Sequence, residues 1–203
     1  AHLSSARAAD AVRRAKAEGL NVTCEVTPHH ICLTDDAVRS YDASFKVAPP
    51  LRSQEHVDAL KVAIADGTID AIATDHAPHA PHMKDKEFEY APCGMVGLET
   101  ALGVVLAELV DTGVCSLLRA MELMSTGPAR ILGSDEHGGP IAKGCPANLV
   151  AFDPEATWTV EVNALASRSR NTPFVGRKLT GKVIHTMLRG RFSVRDGEVR
   201  DIE

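Results

Sequence analysis

Residues Ile69 to Thr74 form a short, β-branched run that is continuously apolar apart from Asp70, and Asp75, His76 and His79 follow at once. Such a run fits a parallel strand buried on both faces. Helical patterns alternate with it. Ser4 to Ala17 reads as a helix, capped by Ser4 or Ser5, with Ala8, Ala11, Val12 and Ala15 as its apolar face and Gly19 as its stop. Asn21 to Val26 reads as a strand ended by Pro28, and Ser53 caps a second helix through Ala65, with Gly67 beyond it. Helix, strand, helix, strand implies an α/β chain with a parallel sheet or barrel, in which function gathers at the C-terminal ends of the strands.

Downstream, Leu98 to Val110 and Ser116 to Met124 read as helices, with a further helical turn or two over Thr126 to Leu132. The character changes after Gly133. Gly138-Gly139-Pro140, Gly144 and Pro146 punctuate the chain, and short strands are expected over 147–152, 157–162, 183–188, 192–194 and 198–199. Arg189-Gly190 and Asp196-Gly197 are hairpin turn signals. The expected organisation is therefore an α/β part over residues 1–135 and a small β module over 136–203.

Composition narrows the function classes. The 203 residues are 44% hydrophobic and 24% charged with a net charge of −5, so no basic stripe exists to hold nucleic acid or a membrane surface. No apolar run is long enough to cross a bilayer. Five cysteines, at 24, 32, 93, 115 and 145, form no C-x-x-C pair. They read as reduced thiols of a cytoplasmic protein. The chain opens on Ala1 with no strand before the first helix, which suggests a fragment.

His2, the pair His29-His30, and Asp75 each fall at or just after an expected strand end. Alone, each has a plain structural reading. Asp75 could cap a helix, and a histidine pair in a loop could bond to backbone. Lys84 to Glu89 reads as a solvated loop, and Met121 and Met124 as core. Gathered at one barrel mouth, the histidines and the aspartate would suit Zn²⁺ and metal-assisted hydrolysis of an amide or ester.

Several stretches closely resemble dihydroorotases of the bacterial class I type, within the amidohydrolase superfamily. They are ATDHAPH (73–79), VTCEVTPHHICLTDD (22–36), PPLRS (49–53), GMVGLETALG (94–103), GPARILG (127–133), KGCPANLVAFDP (143–154) and SRSRNTPFVGRKLTGKV (167–183). The resemblance covers essentially the whole chain. It implies the last part of a (β/α)₈ TIM-like barrel followed by a small β-sandwich module, and reversible cyclisation of N-carbamoyl-L-aspartate to dihydroorotate with two zinc ions. By resemblance, His2 binds one zinc, and Asp75 binds the other and shuttles the proton. His79 meets the substrate carboxylate, and Cys93-Gly94 lend loop backbone to the substrate ring.

Two departures stand out. The family's substrate-contacting asparagine before P-P-L-R is Ala48 here. The family's first-strand H-x-H, its bridging Asp or carboxylated Lys, a further metal histidine and the substrate arginine and asparagine have no counterpart in these residues. A barrel of this type needs roughly 250 residues, so only about its last three strands fit, and the chain alone should be inactive. The rival readings are another cyclic amidohydrolase, such as a hydantoinase or allantoinase, and an inactive dihydroorotase-like subunit that scaffolds aspartate transcarbamoylase. The expected partners are a small-molecule substrate and either a second copy or aspartate transcarbamoylase.

Overall fold

The computed structural model describes residues 1–200. Helix α1 spans Ala6–Ala17, strand β1 Glu25–Val26, helix α2 Gln54–Ala65 and strand β2 Ala71–Ile72. A short helix α3 (Pro81–Lys84) precedes α4 (Leu98–Val105), α5 (Leu117–Met121) and α6 (Gly127–Leu132). Four strands then close the described chain: β3 (Leu149–Thr159), β4 (Lys178–Leu188), β5 (Arg191–Arg195) and β6 (Glu198–Val199).

The helices start where their caps allow. Ser5 Oγ accepts the Ala8 N–H at 3.3 Å and opens α1, and Gly19, with φ 79°, takes the left-handed turn after it. In α1 only Ala9 is fully buried, and Ala11, placed on the apolar face by the sequence pattern, is exposed. The stripe that faces inward runs instead through Ala9 and Val12. In α2 the buried stripe is Val57, Leu60, Ala63 and Ile64, at helical spacing, while Val62 lies outside.

Strands β1 and β2 pair in parallel, Glu25 opposite Ala71 and Val26 opposite Ile72. Both are shorter than the six-residue runs 21–26 and 69–74 suggest. Single backbone bonds extend the pairing, from Asp70 N–H to Cys24 O and from Ala73 N–H to Val26 O, both 3.0 Å. On the other side of β1, Leu3 N–H donates to Glu25 O at 3.0 Å. His2-Leu3, β1 and β2 thus lie side by side with their C-terminal ends at one edge. Asp70, the polar interruption in the apolar run, fixes the opposite end. Its carboxylate accepts the Cys24 N–H at 2.8 Å and lies 2.6 Å from Lys16 Nζ on α1.

The main core joins Val26, Ile31, Leu60, Ile64, Ile69 and Ile72 to Val105, Leu109, Ala120 and Leu123 from the later helices. Those helices run almost continuously. Wide π turns over Leu106–Val110 and Glu122–Thr126 follow α4 and α5, so the second helical stretch passes straight into α6. A second core of Val104, Val160, Phe174 and Leu179 ties α4 to the β module. Glu108 strengthens this join by pairing with Lys61 of α2 at 2.7 Å and with Arg177 beside β4.

Among the described residues the β module is a single antiparallel sheet, ordered β3-β4-β5-β6, and no second layer is formed by them. The two short strands expected over 147–152 and 157–162 are one strand. Pro154 does not break β3, because the strand is at the sheet edge and the register shifts by a bulge between Asp153 and Thr157. The strand expected at 183–188 likewise begins earlier, at Lys178. No helix of the described residues is long and apolar enough to cross a membrane.

The approach of α6 to β2 leaves no room for a side chain. A Cβ on Gly127 would sit 2.5 Å from Asp70 O and 3.0 Å from Glu122 O, both backbone atoms. Gly127→Ala is therefore expected to lower unfolding stability by about 1–3 kcal/mol. Gly139→Ala, where nothing lies within 4 Å, should change it by less than about 0.5 kcal/mol. Denaturant titration of the two variants checks the contrast, and equal midpoints would refute it.

Candidate active site

The three adjacent strand ends deliver the polar side chains. His2 precedes the Leu3 bond to β1, Thr27 to His30 turn away from the end of β1, and Ala73 to Asp75 leave β2. Both His2 and Asp75 hold left-handed backbone, with φ of 52° and 46°. Non-glycine residues there cost of order 1–3 kcal/mol each and persist only where the surroundings fix them. The two side chains approach one another beyond the strand ends.

His2 Nε2 lies 3.6 Å from Asp75 Oδ1, and His29 Nε2 lies 4.0 Å from Asp75 Oδ2. Glu25 Oε1 accepts the His2 backbone N–H at 2.5 Å and lies 2.7 Å from His2 Nδ1. That second approach is off the line of a hydrogen bond, so Nδ1 is buried without a partner. Each ring nitrogen of His2 thus faces a carboxylate, Glu25 on one side and Asp75 on the other.

His29 and His30 share a backbone turn but not a role. His30 is satisfied on both ring nitrogens, by Thr27 Oγ1 at 2.7 Å and Pro49 O at 2.9 Å. Since Pro49 O can only accept, Nε2 carries the proton and Nδ1 accepts from the Thr27 hydroxyl. His29 is equally buried, yet its Nε2 has no hydrogen-bond partner. Burial, with the neighbouring His30 and His2 adding to it, pushes the His29 pKa down to about 3. The ring is neutral at pH 7, so its approach to Asp75 is not an ion pair, and at 4.0 Å it is too long for a hydrogen bond. It is an orphaned polar atom aimed at a carboxylate, which buried groups seldom are.

These residues fit part of a cation site. Zinc binds histidine nitrogen and carboxylate oxygen, and His2 Nε2 and Asp75 Oδ1, 3.6 Å apart, would both be donors to cations held there. Neutral imidazoles and a carboxylate are the forms that ligate. Among the described residues, however, no group of three or more such side chains closes around one point.

Behind Asp75 the loops diverge in function. His76 Nδ1 accepts the Gly97 and Leu98 N–H groups at 3.1 and 3.4 Å, so this histidine caps α4. His79 Nε2 bonds to Cys93 O at 2.9 Å. Gly94, beside it, is buried with φ 126°, and a Cβ there would meet Ala77 Cβ at 2.5 Å and His79 Nε2 at 3.1 Å. Only glycine fits. Lys84, whose pKa burial lowers, donates to Pro92 O and Gly94 O at 2.9 and 2.8 Å. Gly94 N–H reaches Lys46 O at 2.8 Å. The charge run at 84–89 is thus partly a brace for the 92–94 loop. Cys93 offers its carbonyl inward, while its residue surface is exposed. Ala48 is exposed, a bare methyl between Lys46 and Pro49, whose carbonyls hold Gly94 and His30.

The structure therefore brings His2 and Asp75 together, and separately joins His79 to Cys93 and Gly94. Sequence reasoning missed His29 as distinct from His30, and also Glu25, Lys46 and Asn171, whose side chain meets His79 and Gly94. The signal for His29 was only its place after a strand end. For Asn171 there was none beyond the resemblance of its segment.

Comparison with known proteins identifies the family. The family model described as "Amidohydrolase family" matches residues 1–192. The dihydroorotase of Streptomyces coelicolor (strain ATCC BAA-471 / A3(2) / M145) is 51% identical over 198 residues, covering 98% of this chain and 46% of that protein. The dihydroorotase of Mycobacterium tuberculosis (strain ATCC 25618 / H37Rv) is 47% identical over 199 residues, with the same coverage. Among solved structures, the L-hydantoinase (dihydropyrimidinase) from Arthrobacter aurescens superposes with a TM-score of 0.91 at 32% identity, covering 98% of this chain and 45% of that one. The dihydropyrimidinase from Brevibacillus agri NCHU1002 gives 0.89 at 29% identity, covering 98% and 44%. The chain spans a little under half the length of the curated relatives it matches, and it belongs to the amidohydrolase family.

Proposed function

We propose that this chain is the C-terminal portion of a zinc-dependent cytoplasmic dihydroorotase, which interconverts dihydroorotate and N-carbamoyl-L-aspartate. The observation that carries the reading is the meeting of His2 Nε2 and Asp75 Oδ1 at 3.6 Å across adjacent strand ends. The 47–51% identity to dihydroorotases over nearly the whole chain supports the substrate. In this reading residues 1–135 are the end of the barrel, and the sheet of 136–203 is one layer of the β-sandwich.

His2 and Asp75 would hold two zinc ions together with ligands from the remainder of the protein. A divalent metal there would polarise the cyclic amide carbonyl and acidify the attacking water. Asp75 takes the proton from that water and delivers it to the leaving amide nitrogen, which a carboxylate within reach of both can do. Glu25 accepts the His2 backbone N–H and so holds His2 at the strand edge. His79 meets the substrate carboxylate, and the Cys93-Gly94 backbone lies along the ring. Ala48 offers no amide there. An unmade hydrogen bond of that kind costs about 1–3 kcal/mol if its partner stays unsatisfied.

A hydantoinase reading is favoured by the superposition on structures named L-hydantoinase (dihydropyrimidinase) and dihydropyrimidinase. The lower identity to those structures, 32% and 29%, places it second. Turnover by the full-length parent of dihydroorotate, but not of hydantoins, is the expected outcome. The reverse pattern would overturn the assignment. In the same protein Asp75→Asn should lower kcat by about 10²–10⁴-fold. Bound zinc counted in parallel shows how much of that loss is metal, and near-normal turnover would remove Asp75 from the chemistry.

The chain by itself supplies too few ligands for a closed site. Residues 1–203 alone are expected to bind less than one zinc per chain under dialysis and to show no turnover. Stoichiometric zinc with turnover would contradict this.

A further inference from the structure

Asn171 lies just before Pro173 in the segment that leads to β4, far along the chain from the loops behind Asp75. It is 6% exposed, and all its side-chain hydrogen-bonding groups are used. Oδ1 accepts the His79 N–H at 3.2 Å. Nδ2 donates to Ala77 O at 3.0 Å and to Gly94 O at 3.2 Å. Its backbone carbonyl accepts the Val96 N–H at 3.0 Å. The partners fix the amide orientation, because two are carbonyls that can only accept and one is an N–H that can only donate.

One buried side chain thus spans two loops. The first carries Asp75 and His79, and the second carries Cys93 and Gly94. Direct links between them also exist, from Ala77 N–H to Met95 O at 2.9 Å and from His79 Nε2 to Cys93 O at 2.9 Å. Those links keep the loops adjacent. The Asn171 amide adds the spacing of the His79 backbone against Gly94, since it is hydrogen-bonded to both. We propose that Asn171 is a positioning residue for substrate binding, clamping His79 and Gly94 at the separation the cyclic amide and its carboxylate require.

The inference rests on the reading of His79 and Gly94 as substrate contacts given above. A clamp on binding groups alone acts equally on bound substrate and transition state. Its loss should therefore raise KM and leave kcat nearly unchanged. Asn171→Asp keeps the volume, retains the Oδ1 acceptor and removes both donors. Asn171→Ala removes all three bonds and leaves buried backbone groups unpaired.

The test uses the full-length parent and whichever cyclic amide the unmodified protein turns over. Asn171→Asp is expected to raise KM about tenfold with kcat within about threefold, and Asn171→Ala to raise it at least as much. Amide hydrogen exchange without substrate supplies an independent readout. Asn171→Ala should speed exchange at His79, while the Gly103 and Leu106 amides of the helical core stay protected. If the unmodified protein processes hydantoins and not dihydroorotate, the proposed function falls. The clamp then stands or falls on the hydantoin KM and the His79 exchange. Unchanged KM in Asn171→Asp, or a kcat that falls in step with folded fraction while KM holds, would overturn the positioning role.

Discussion

The register of two very short parallel strands controls the rest of the site. Glu25 faces Ala71 and Val26 faces Ile72, and a slip of one residue would turn every side chain to the opposite face. Pairing over so few residues specifies register weakly by itself. Asp70 supplies what is missing, by accepting the Cys24 N–H and holding Lys16 of α1. A slipped strand would leave that carboxylate without these partners. Val26 and Ile72 are buried on the inner face, so apolar packing and the ion pair select the same alignment. The strand ends at the far edge then follow, with His2, His29 and Asp75 as neighbours.

At that edge the structure spends stability. His2 and Asp75 are both left-handed, and two buried imidazole nitrogens lack hydrogen bonds. Each feature is unfavourable in a plain folding unit. Their concentration within a few ångströms, while the far end of the same strands is fully paired, is the pattern of a site organised to bind something. The neutral state of His29 belongs to the same picture. A protonated ring there would need a solvent shell that its burial denies it.

Much of this was legible in the residues, and the remainder was illegible for identifiable reasons. The helix over 6–17 follows from its Ser5 cap, while the expected Ser53 side-chain cap is not formed and the helix over 54–65 follows from apolar spacing, which is local. Asp75 was legible because a carboxylate directly after a buried strand is unusual. The division between His29 and His30 was not, since it depends on Thr27 and Pro49 O being placed to satisfy one ring and not the other. His76 stands directly behind Asp75 in the sequence, and only the fold shows that its ring serves the amides that open α4. Residues 147–152 and 157–162 read as two strands, but they form one, since an edge strand tolerates Pro154 without its N–H. Asn171 carried no local signal at all, because its partners are residues that only the folded chain brings to it.

Under the proposed function, chemistry and selectivity occupy different parts of the molecule. The strand-end corner depends on backbone pairing and core packing, within a fold that superposes on structures named L-hydantoinase (dihydropyrimidinase) and dihydropyrimidinase at 29–32% identity. A metal-assisted opening of a cyclic amide asks nothing of that corner that is specific to one ring. Discrimination must come from groups that meet the ring's substituents, and those hang from loops. Here the loops at 77–79 and 92–96 are held by Lys84, Lys46 and Asn171 instead of by the strands. Such a division lets loop contacts change, as at Ala48, without disturbing the strained backbone that aims Asp75. It also makes the corner a guide to reaction type, and the braces on the loops a guide to substrate.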